Sequence, residues 1–353
     1  MAERKRFTVV STSSRYDFDF EREMLTRAKD LEIELRAAVC NSEDDIIAAG
    51  RDADAMLAST REAFTRRVIE RLPRCKVIAR YGVGLDNVDL DAATDSDIVV
   101  THFPGYCTAE VADHAFAFLL ALNRRLVEVD RDLRQGAWSA HGPMTREILR
   151  GPIPPLREQT LGLIGFGRIG KTVARRAAGF DLTILAADPY LDPGEMTALG
   201  VESVTLDDLL ARADYVSIHC PLTPETRCLI DAAAIARMKP GAVLINTARG
   251  PIVDLDAATA ALQSGALAGA ALDVFSPEPL PVDSPLYGLP NVILTPHAAY
   301  YSERSVEIVR RETLEGALAV LRNERPRVVA NPSVLERVHL TTPGSDATEA
   351  RSA

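Results

Sequence analysis

The chain has 353 residues, more than one ordinary hydrophobic core occupies, so we expect two domains. Its net charge of −10 disfavours a nucleic-acid partner, and no apolar run is long enough to span a membrane. Five scattered cysteines show no metal-binding spacing, and the N-terminus passes directly into a strand-like run. These features predict a cytoplasmic protein with reduced thiols and no metal site.

Short apolar runs alternate with helical patterns in the first hundred residues. The predicted strands are residues 7–10, 56–58, 77–79 and 98–100, and the predicted helices between them cover 21–30, 41–50 and 63–72. Buried strands that alternate with helices are typical of an α/β domain with a parallel sheet. A long helix over 109–134 is expected next, ended by Gly136, and residues 142–157 have the glycine and proline content of a loop.

The alternation restarts at Thr160 with a stronger pattern. The predicted strands are residues 161–166, 182–188, 215–219, 242–247, 269–275 and 291–295, with helical patterns between most of them. This arrangement is typical of a doubly wound parallel sheet. One more amphipathic helix follows His297, and the polar residues 337–353 are expected to form a disordered tail.

A glycine-rich turn follows the first strand of this second half. The stretch Gly165-Phe166-Gly167-Arg168-Ile169-Gly170 matches G-x-G-x-x-G, and Asp188 lies 23 residues beyond the first glycine (188 − 165). In such a turn the first glycine permits the bend, the second lets the backbone approach a pyrophosphate, and the third lets helix and strand pack closely. Asp188 would accept hydrogen bonds from the ribose hydroxyls, and no cation for a 2′-phosphate follows it, so NAD is the expected cofactor. A glycine turn that binds nothing is the alternative.

Three polar residues follow the ends of predicted strands in the same half. Arg249, Glu278 and His297 come after residues 242–247, 269–275 and 291–295 respectively. The imidazole suits proton transfer near neutral pH, the guanidinium suits a substrate carboxylate, and a carboxylate beside an imidazole favours its protonated form. Each residue alone also fits a cap or a solvated loop charge, whereas their shared placement favours catalysis of hydride transfer between NAD and a 2-hydroxy acid.

These residues carry a family resemblance. The stretches RYGVGLDNVDL (80–90), TLGLIGFGRIG (160–170), INTARGPIVD (245–254), ALDVFSPEPL (271–280) and TPHAA (295–299) resemble the NAD-dependent D-2-hydroxyacid dehydrogenases, which include D-3-phosphoglycerate dehydrogenase and glyoxylate reductase. The resemblance covers nearly the whole chain. In that family the catalytic Arg, Glu and His stand at the positions of Arg249, Glu278 and His297.

The resemblance also implies ligand contacts. The loop at Val83 and Gly84 would present backbone N–H groups to the substrate carboxylate, and Arg80 would face the substrate. Further cofactor contacts are implied for a set of residues beyond the glycine turn: Cys220, Pro221, Thr226, Thr247, Ala248, Asp273 and Ala299. Tyr300 replaces a tryptophan of the corepressor-like branch, the C-terminal-binding proteins, whose PHAAWYSE pattern is similar to residues 296–303. We expect Tyr300 to line the substrate pocket.

The family also implies how the domains are built. The NAD-binding Rossmann domain, residues 106–299, would be inserted into a flavodoxin-like substrate domain made of 1–105 and 300–331. The predicted long helix would be the contact of a homodimer. The resemblance therefore implies an NAD-dependent D-2-hydroxyacid dehydrogenase acting on a small 2-hydroxy or 2-keto acid.

Other functions stay open on the sequence. An NADH-sensing binding scaffold of the corepressor kind retains the same Arg-Glu-His set. A cysteine nucleophile at Cys107 or Cys220 is a weaker alternative, because neither has an activating base nearby in the sequence. For substrate identity, Arg80 suits a second anionic group whereas Tyr300 suits an apolar or planar one, and these indications disagree.

Overall fold

The computed structural model describes residues 6–13, 17–141 and 153–342. Residue contacts divide the chain into two units: one contains the chain up to Tyr106 and from Glu303 onward, and the other is Cys107–Ser302. Each unit is built on one sheet whose strands pair in parallel. The predicted fold class, two α/β domains with parallel sheets, is therefore confirmed.

The first unit has a five-stranded sheet in the order β2-β1-β3-β4-β5. Its strands in chain order are β1 Arg6–Ser11, β2 Glu32–Ala37, β3 Ala55–Ala58, β4 Val77–Arg80 and β5 Val99–Thr101. Its helices are Asp19–Arg27, Glu43–Gly50, Arg66–Ile69, Leu90–Asp95 and Glu303–Leu321. The strands β3, β4 and β5 are buried along their whole length, and separate clusters of buried side chains cover the two sides of the sheet.

The second unit has a seven-stranded sheet in the order β12-β11-β10-β9-β6-β7-β8. Its strands are β6 Thr160–Ile164, β7 Thr183–Ala187, β8 Glu202–Ser203, β9 Tyr215–Ile218, β10 Ala242–Asn246, β11 Leu267–Leu272 and β12 Val292–Leu294. Its helices are Thr108–Asn123, Leu126–Arg134, Ala137–His141, Arg168–Ala178, Pro193–Thr197, Leu206–Arg212, Ala232–Arg237 and Leu255–Ser264. Since all pairings are parallel, the carboxyl ends of the strands meet at one edge of the sheet, where ligands of such folds bind.

The predicted helix over 109–134 is wrong as a single element. It ends at Asn123, and a second helix begins at Leu126, because Arg125 takes a left-handed conformation with φ of 53°. The side-chain amide of Asn123 donates to Pro154 O at 3.1 Å and to the Tyr215 hydroxyl at 3.0 Å, which fixes this helix end against the sheet.

The structure differs from the sequence predictions at one strand and at the C-terminal tail. The strand Glu32–Ala37 escaped the sequence patterns because it lies at the sheet edge and carries alternating charged residues. The predicted disordered tail is wrong for residues 337–342, since Arg337 pairs with Asp97 at 2.6 Å and Thr341 N donates to Asn323 O at 2.8 Å. The rest of the predicted tail, residues 343–353, lies outside the described residues, as does most of the predicted loop 142–157.

Within the described ranges, no helix combines the length and apolar character that crossing a bilayer requires. The same ranges bring together no group of three His, Cys, Asp or Glu side chains able to hold a metal ion.

Candidate active site

Three neighbouring strands of the second sheet deliver the predicted catalytic residues. Strands β10, β11 and β12 lie side by side in parallel, and Arg249, Glu278 and His297 follow their carboxyl ends. The three residues therefore share one edge of the sheet, as the sequence predicted.

His297 and Glu278 are in direct contact. The imidazole Nδ1 lies 2.9 Å from Glu278 Oε2, and the backbone N–H of Phe275 donates to the other oxygen, Oε1, at 2.9 Å. Because a carboxylate only accepts, Nδ1 carries the proton of this bond, and Nε2 is the ring atom that remains for a substrate. The backbone bond from Phe275 fixes the carboxylate, and the carboxylate orients the ring.

The charge state of Glu278 follows from these neighbours. Burial alone would raise its pKa, but the hydrogen bond and charge of His297, the Phe275 N–H and the charge of Arg249 act in the opposite direction. The net result is a pKa below the ordinary value. Glu278 is therefore a carboxylate at neutral pH and stabilises positive charge on the imidazole.

Arg249 is held by a tight turn. The Asn246 side chain is buried; its Nδ2 donates to Arg249 O at 2.9 Å and its Oδ1 accepts from Ala248 N at 3.0 Å. A Cβ at the next residue, Gly250, would lie 1.9 Å from Phe275 O, so only glycine permits this approach of the two loops. The approach brings the turn of Arg249 against the loop of Glu278.

The turn that carries His297 has unusual backbone geometry. His297 has φ of 54°, in the left-handed region that a side chain with a Cβ disfavours. Its N–H donates to Asp273 O at 2.7 Å, and the N–H groups of Ala298 and Ala299 donate to the Asp273 carboxylate at 2.8 and 2.9 Å. The resemblance implied that Asp273 lines the cofactor; in the structure its carboxylate anchors the turn of His297.

Tyr300 lies next to the imidazole of His297. Its ring centroid is 6.4 Å from that of His297 in an edge-on arrangement, and Tyr301 stands edge-on to it at 6.3 Å. An aromatic side chain thus borders the ring that would exchange the proton. The following Ser302 donates to Glu110 at 2.7 Å and fixes the end of the turn within the same unit.

The glycine turn between β6 and the helix Arg168–Ala178 has the geometry expected of a dinucleotide site. A Cβ at Gly165, where φ is 89°, would lie 2.6 Å from Cys220 N, and one at Gly170 would lie 2.4 Å from Gly165 O. A Cβ at Gly167 would meet no heavy atom within 4 Å. The first and third glycines therefore serve packing, and the second leaves open space at the helix N-terminus, next to Arg168 and Ile169, where a phosphate binds.

Two of the residues implied to border the adenosine, Asp188 and Thr226, make hydrogen bonds to backbone groups of the surrounding loops. Asp188 accepts the Phe166 N–H at 2.8 Å and the Tyr190 N–H at 3.0 Å, one on each oxygen, and carboxylate lone pairs remain for ribose hydroxyls. Thr226 donates to Pro221 O at 2.7 Å and accepts from Thr223 N at 2.7 Å. Thr226 thus shapes the loop that begins at Cys220.

One buried polar atom has no partner in the described part of the chain. The Thr247 hydroxyl is buried and makes no hydrogen bond there, although such groups are nearly always satisfied. Thr247 and Ala248 lie between β10 and Arg249, where the resemblance places the nicotinamide side. An unsatisfied hydroxyl, an open space at Gly167 and an ionisable acceptor at Asp188 together fit NAD.

The predicted substrate residues of the first unit lie after β4. Arg80 is buried. Its Nη1 donates to Tyr81 O at 2.8 Å, and its Nε donates to Asn87 Oδ1 at 3.4 Å. A Cβ on Gly82 would lie only 2.2 Å from Arg80 Nη1, so the guanidinium fills the space beside this glycine. The Val83 carbonyl accepts from His102 Nδ1 at 2.8 Å, and Gly84 follows it in the same loop. The guanidinium therefore packs directly on the loop proposed to bind a carboxylate.

The cysteine alternative loses support. Burial raises the pKa of Cys220 to about 11, so its thiol is protonated at neutral pH. Cys107 is buried at the start of the helix Thr108–Asn123. The Cys220 thiol thus lacks the low pKa, and the Cys107 thiol the exposure, that a nucleophile requires. His219, assigned to structure, is half-buried and bonds to the Ser217 hydroxyl at 2.9 Å, and desolvation lowers its pKa to about 4.

Sequence reasoning missed residues that support the site rather than form it. Asn246 closes the turn of Arg249, and Thr295 and His114 contact the Asp273 carboxylate region. Asn246 and Thr295 stand within the INTARG and TPHAA stretches, so their position was a usable signal. His114 lies 181 residues from its partner Thr295, and nothing in the sequence pattern indicated that contact.

Comparisons with known proteins give matches over most of the chain. Residues 116–299 match the model of the NAD binding domain of the D-isomer specific 2-hydroxyacid dehydrogenases. The chain is 42% identical over 292 residues to a glyoxylate reductase of Korarchaeum cryptofilum, covering 82% of this chain and 86% of that protein. It is also 42% identical over 266 residues to a D-3-phosphoglycerate dehydrogenase of Mycobacterium bovis, covering 75% of this chain but 49% of the relative, about half its length. A crystal structure of D-lactate dehydrogenase from Aquifex aeolicus, complexed with NAD and lactic acid, matches with a TM-score of 0.78 at 31% identity, over 95% of this chain and 99% of that one.

Proposed function

This chain belongs to the D-isomer specific 2-hydroxyacid dehydrogenase family and is an NAD-dependent oxidoreductase, and we propose that His297, Glu278 and Arg249 carry out its reaction on a D-2-hydroxy acid or the matching 2-keto acid. The observation that carries the proposal is the contact of His297 Nδ1 with Glu278 at 2.9 Å, at the sheet edge that also carries Arg249. An imidazole held by a carboxylate beside a cation is the arrangement that this chemistry needs.

Each residue has a defined task. NAD, when bound, supplies the hydride acceptor or donor. His297 Nε2 takes the hydroxyl proton in oxidation and returns it to the carbonyl oxygen in reduction, while the ionised Glu278 stabilises the imidazolium in between. Arg249 presents a planar fork of donors that matches a carboxylate and stays charged at every working pH.

The loop at Val83 and Gly84 is proposed to receive the substrate carboxylate through backbone N–H groups. Arg80 supports this role because its guanidinium packs on Gly82 and adds positive charge to the loop. Tyr300 is proposed to line the substrate side of His297, since its ring lies edge-on to the imidazole.

The proposal is tested with purified protein, NADH and a panel of 2-keto acids that includes glyoxylate, pyruvate and phosphohydroxypyruvate. We expect NADH oxidation with at least one of them, and we expect His297→Gln to lower kcat by about 10²–10⁴-fold with the NADH Kd nearly unchanged. Tight NADH binding without turnover on any acid would favour the corepressor-like scaffold instead. Equal loss of kcat and NADH affinity would make His297 structural.

We also propose a homodimer formed through the helices Leu126–Arg134 and Ala137–His141. Among the residues that the structure describes, the first of these helices has no buried side chain, and Leu126, Val127 and Trp138 expose apolar side chains on this segment. Exposed apolar side chains grouped in this way are typical of an interface. Light scattering should show a dimer for the wild type and a monomer for Val127→Glu/Trp138→Glu; a wild-type monomer at micromolar concentration would contradict the proposal.

A further inference from the structure

A chain of hydrogen bonds lies behind the catalytic turn. His114, on the helix Thr108–Asn123, has its Nε2 3.0 Å from the Thr295 hydroxyl, and Thr295 donates to Asp273 Oδ1 at 2.5 Å. Thr295 follows strand β12, and Asp273 follows strand β11. All three residues belong to the second unit. None of them contacts the substrate in the proposed mechanism.

The direction of this chain is fixed by its chemistry. A buried carboxylate only accepts, so the single hydroxyl proton of Thr295 points to Asp273. The Thr295 oxygen must therefore accept from His114, which places a proton on His114 Nε2. The ring of Phe118, four residues along the same helix, lies edge-on to this imidazole, with 4.4 Å between the ring centroids.

The carboxylate at the end of the chain controls the turn of His297. Asp273 is only 1% exposed, and its side chain also accepts the N–H groups of Ala298 and Ala299. These two bonds fix the residues that directly follow His297, whose φ of 54° needs such support. A change in the orientation of the carboxylate would therefore change where the imidazole points.

We propose that His114 and Thr295 are positioning residues for His297, acting through the Asp273 carboxylate. Thr295 fixes the rotation of the carboxylate, and His114 fixes the rotation of the Thr295 hydroxyl. The inference depends on the proposed function of His297 as the acid/base. Small displacements of a catalytic group lower the rate strongly, because the reacting atoms must lie within a narrow range of distance and angle.

The test compares isosteric and conservative variants. Thr295→Val removes the hydroxyl at nearly constant volume, and Thr295→Ser keeps it; His114→Leu removes the donor, and His114→Gln restores one. The matched control is Thr183→Val, an exposed threonine at the start of strand β7. For each variant we would measure kcat with the best keto acid, the NADH Kd by calorimetry and the unfolding temperature.

We expect Thr295→Val and His114→Leu to lower kcat by about tenfold or more, with NADH Kd within about twofold of the wild type. Thr295→Ser and His114→Gln should recover most of the rate, and Thr183→Val should not change it. Wild-type kcat in Thr295→Val would overturn the inference. It would also be overturned if Thr295→Ser were as slow as Thr295→Val, or if kcat, NADH affinity and unfolding temperature fell together.

The two proposals fail in different ways. If His297→Gln retained activity, the proposed acid/base role would be wrong whatever the positioning variants did. If His297→Gln were inactive while Thr295→Val and His114→Leu turned over as fast as the wild type, only the positioning inference would be wrong.

Discussion

A substitution at Gly167, the second glycine of the dinucleotide turn, should change NADH affinity without lowering the stability of the ligand-free protein. In Gly167→Ala the new Cβ meets no heavy atom within 4 Å, and the residue has φ of −70°, which alanine adopts without strain. Alanine also lowers the conformational entropy of the unfolded chain, because it allows fewer backbone conformations than glycine. We therefore expect the ligand-free protein to keep its stability or gain about 0.4–1 kcal/mol.

NADH affinity should fall in the same variant. The added methyl group occupies the open space at the N-terminus of the helix Arg168–Ala178, where the pyrophosphate approaches the backbone. Displacing one charge-assisted hydrogen bond costs about 1.5–3 kcal/mol, and each 1.4 kcal/mol is about tenfold in Kd. The expected loss of affinity is therefore about 10- to 100-fold.

Calorimetric titration with NADH and the unfolding temperature without NADH measure the two effects. Gly165→Ala is the matched control, because its Cβ would lie 2.6 Å from Cys220 N at a φ of 89°. That variant should unfold at a lower temperature even without ligand. An unchanged NADH Kd in Gly167→Ala would refute the assignment of this turn to the pyrophosphate, and a lower unfolding temperature of the ligand-free variant would refute the claim that alanine fits here without strain.

Three other predictions concern charge and burial. Glu21 is fully buried and accepts a hydrogen bond from Arg310 Nε at 2.9 Å. Glu21→Gln should therefore lower the free energy of unfolding, measured by denaturant titration, by about 3 kcal/mol. A loss below about 1 kcal/mol would contradict this prediction. Burial raises the pKa of Cys220 to about 11, so at pH 7.5 mass spectrometry should show it alkylated far more slowly than the exposed Cys228, and equal rates would argue against a buried thiol. The pKa of Glu278 is lowered by folding, so the contacts of its carboxylate stabilise the protein above the unfolded pKa and are lost as the pH falls through the folded pKa. The gap in unfolding temperature between wild type and Glu278→Gln should therefore shrink below about pH 4.5, and a constant gap would exclude the charge of Glu278 as its cause.

Fold class and strand positions could be predicted because buried parallel strands are nearly continuous apolar runs. The same signal failed for Glu32–Ala37, whose charged residues suit an exposed sheet edge. It also failed at Arg125, where a left-handed residue breaks a helix without the glycine or proline that normally announces a break. Periodicity reports which side chains are buried, and it carries little information on the φ of a single residue.

The candidate site was also predictable only in part. Motif spacing predicted that Arg249, Glu278 and His297 share a sheet edge, because parallel strands deliver their carboxyl ends to one place. The motif did not predict that Gly250 permits close approach to Phe275, or that Phe275 N–H orients Glu278. The first contact joins two loops that are distant in the sequence, and the second depends on the backbone conformation of one loop; single-residue patterns report neither.

The turn of His297 shows why a supporting residue can matter as much as a motif residue. A left-handed conformation costs a residue with a Cβ about 1–2 kcal/mol. Each hydrogen bond to a charged group contributes about 1.5–3 kcal/mol, and the Asp273 carboxylate accepts two from the backbone of this turn. The gain exceeds the cost, so Asp273 determines the backbone conformation that His297 adopts. The two alanines after His297 then have a role that their size did not reveal, because their N–H groups, rather than their side chains, fix the turn that carries the His297 imidazole.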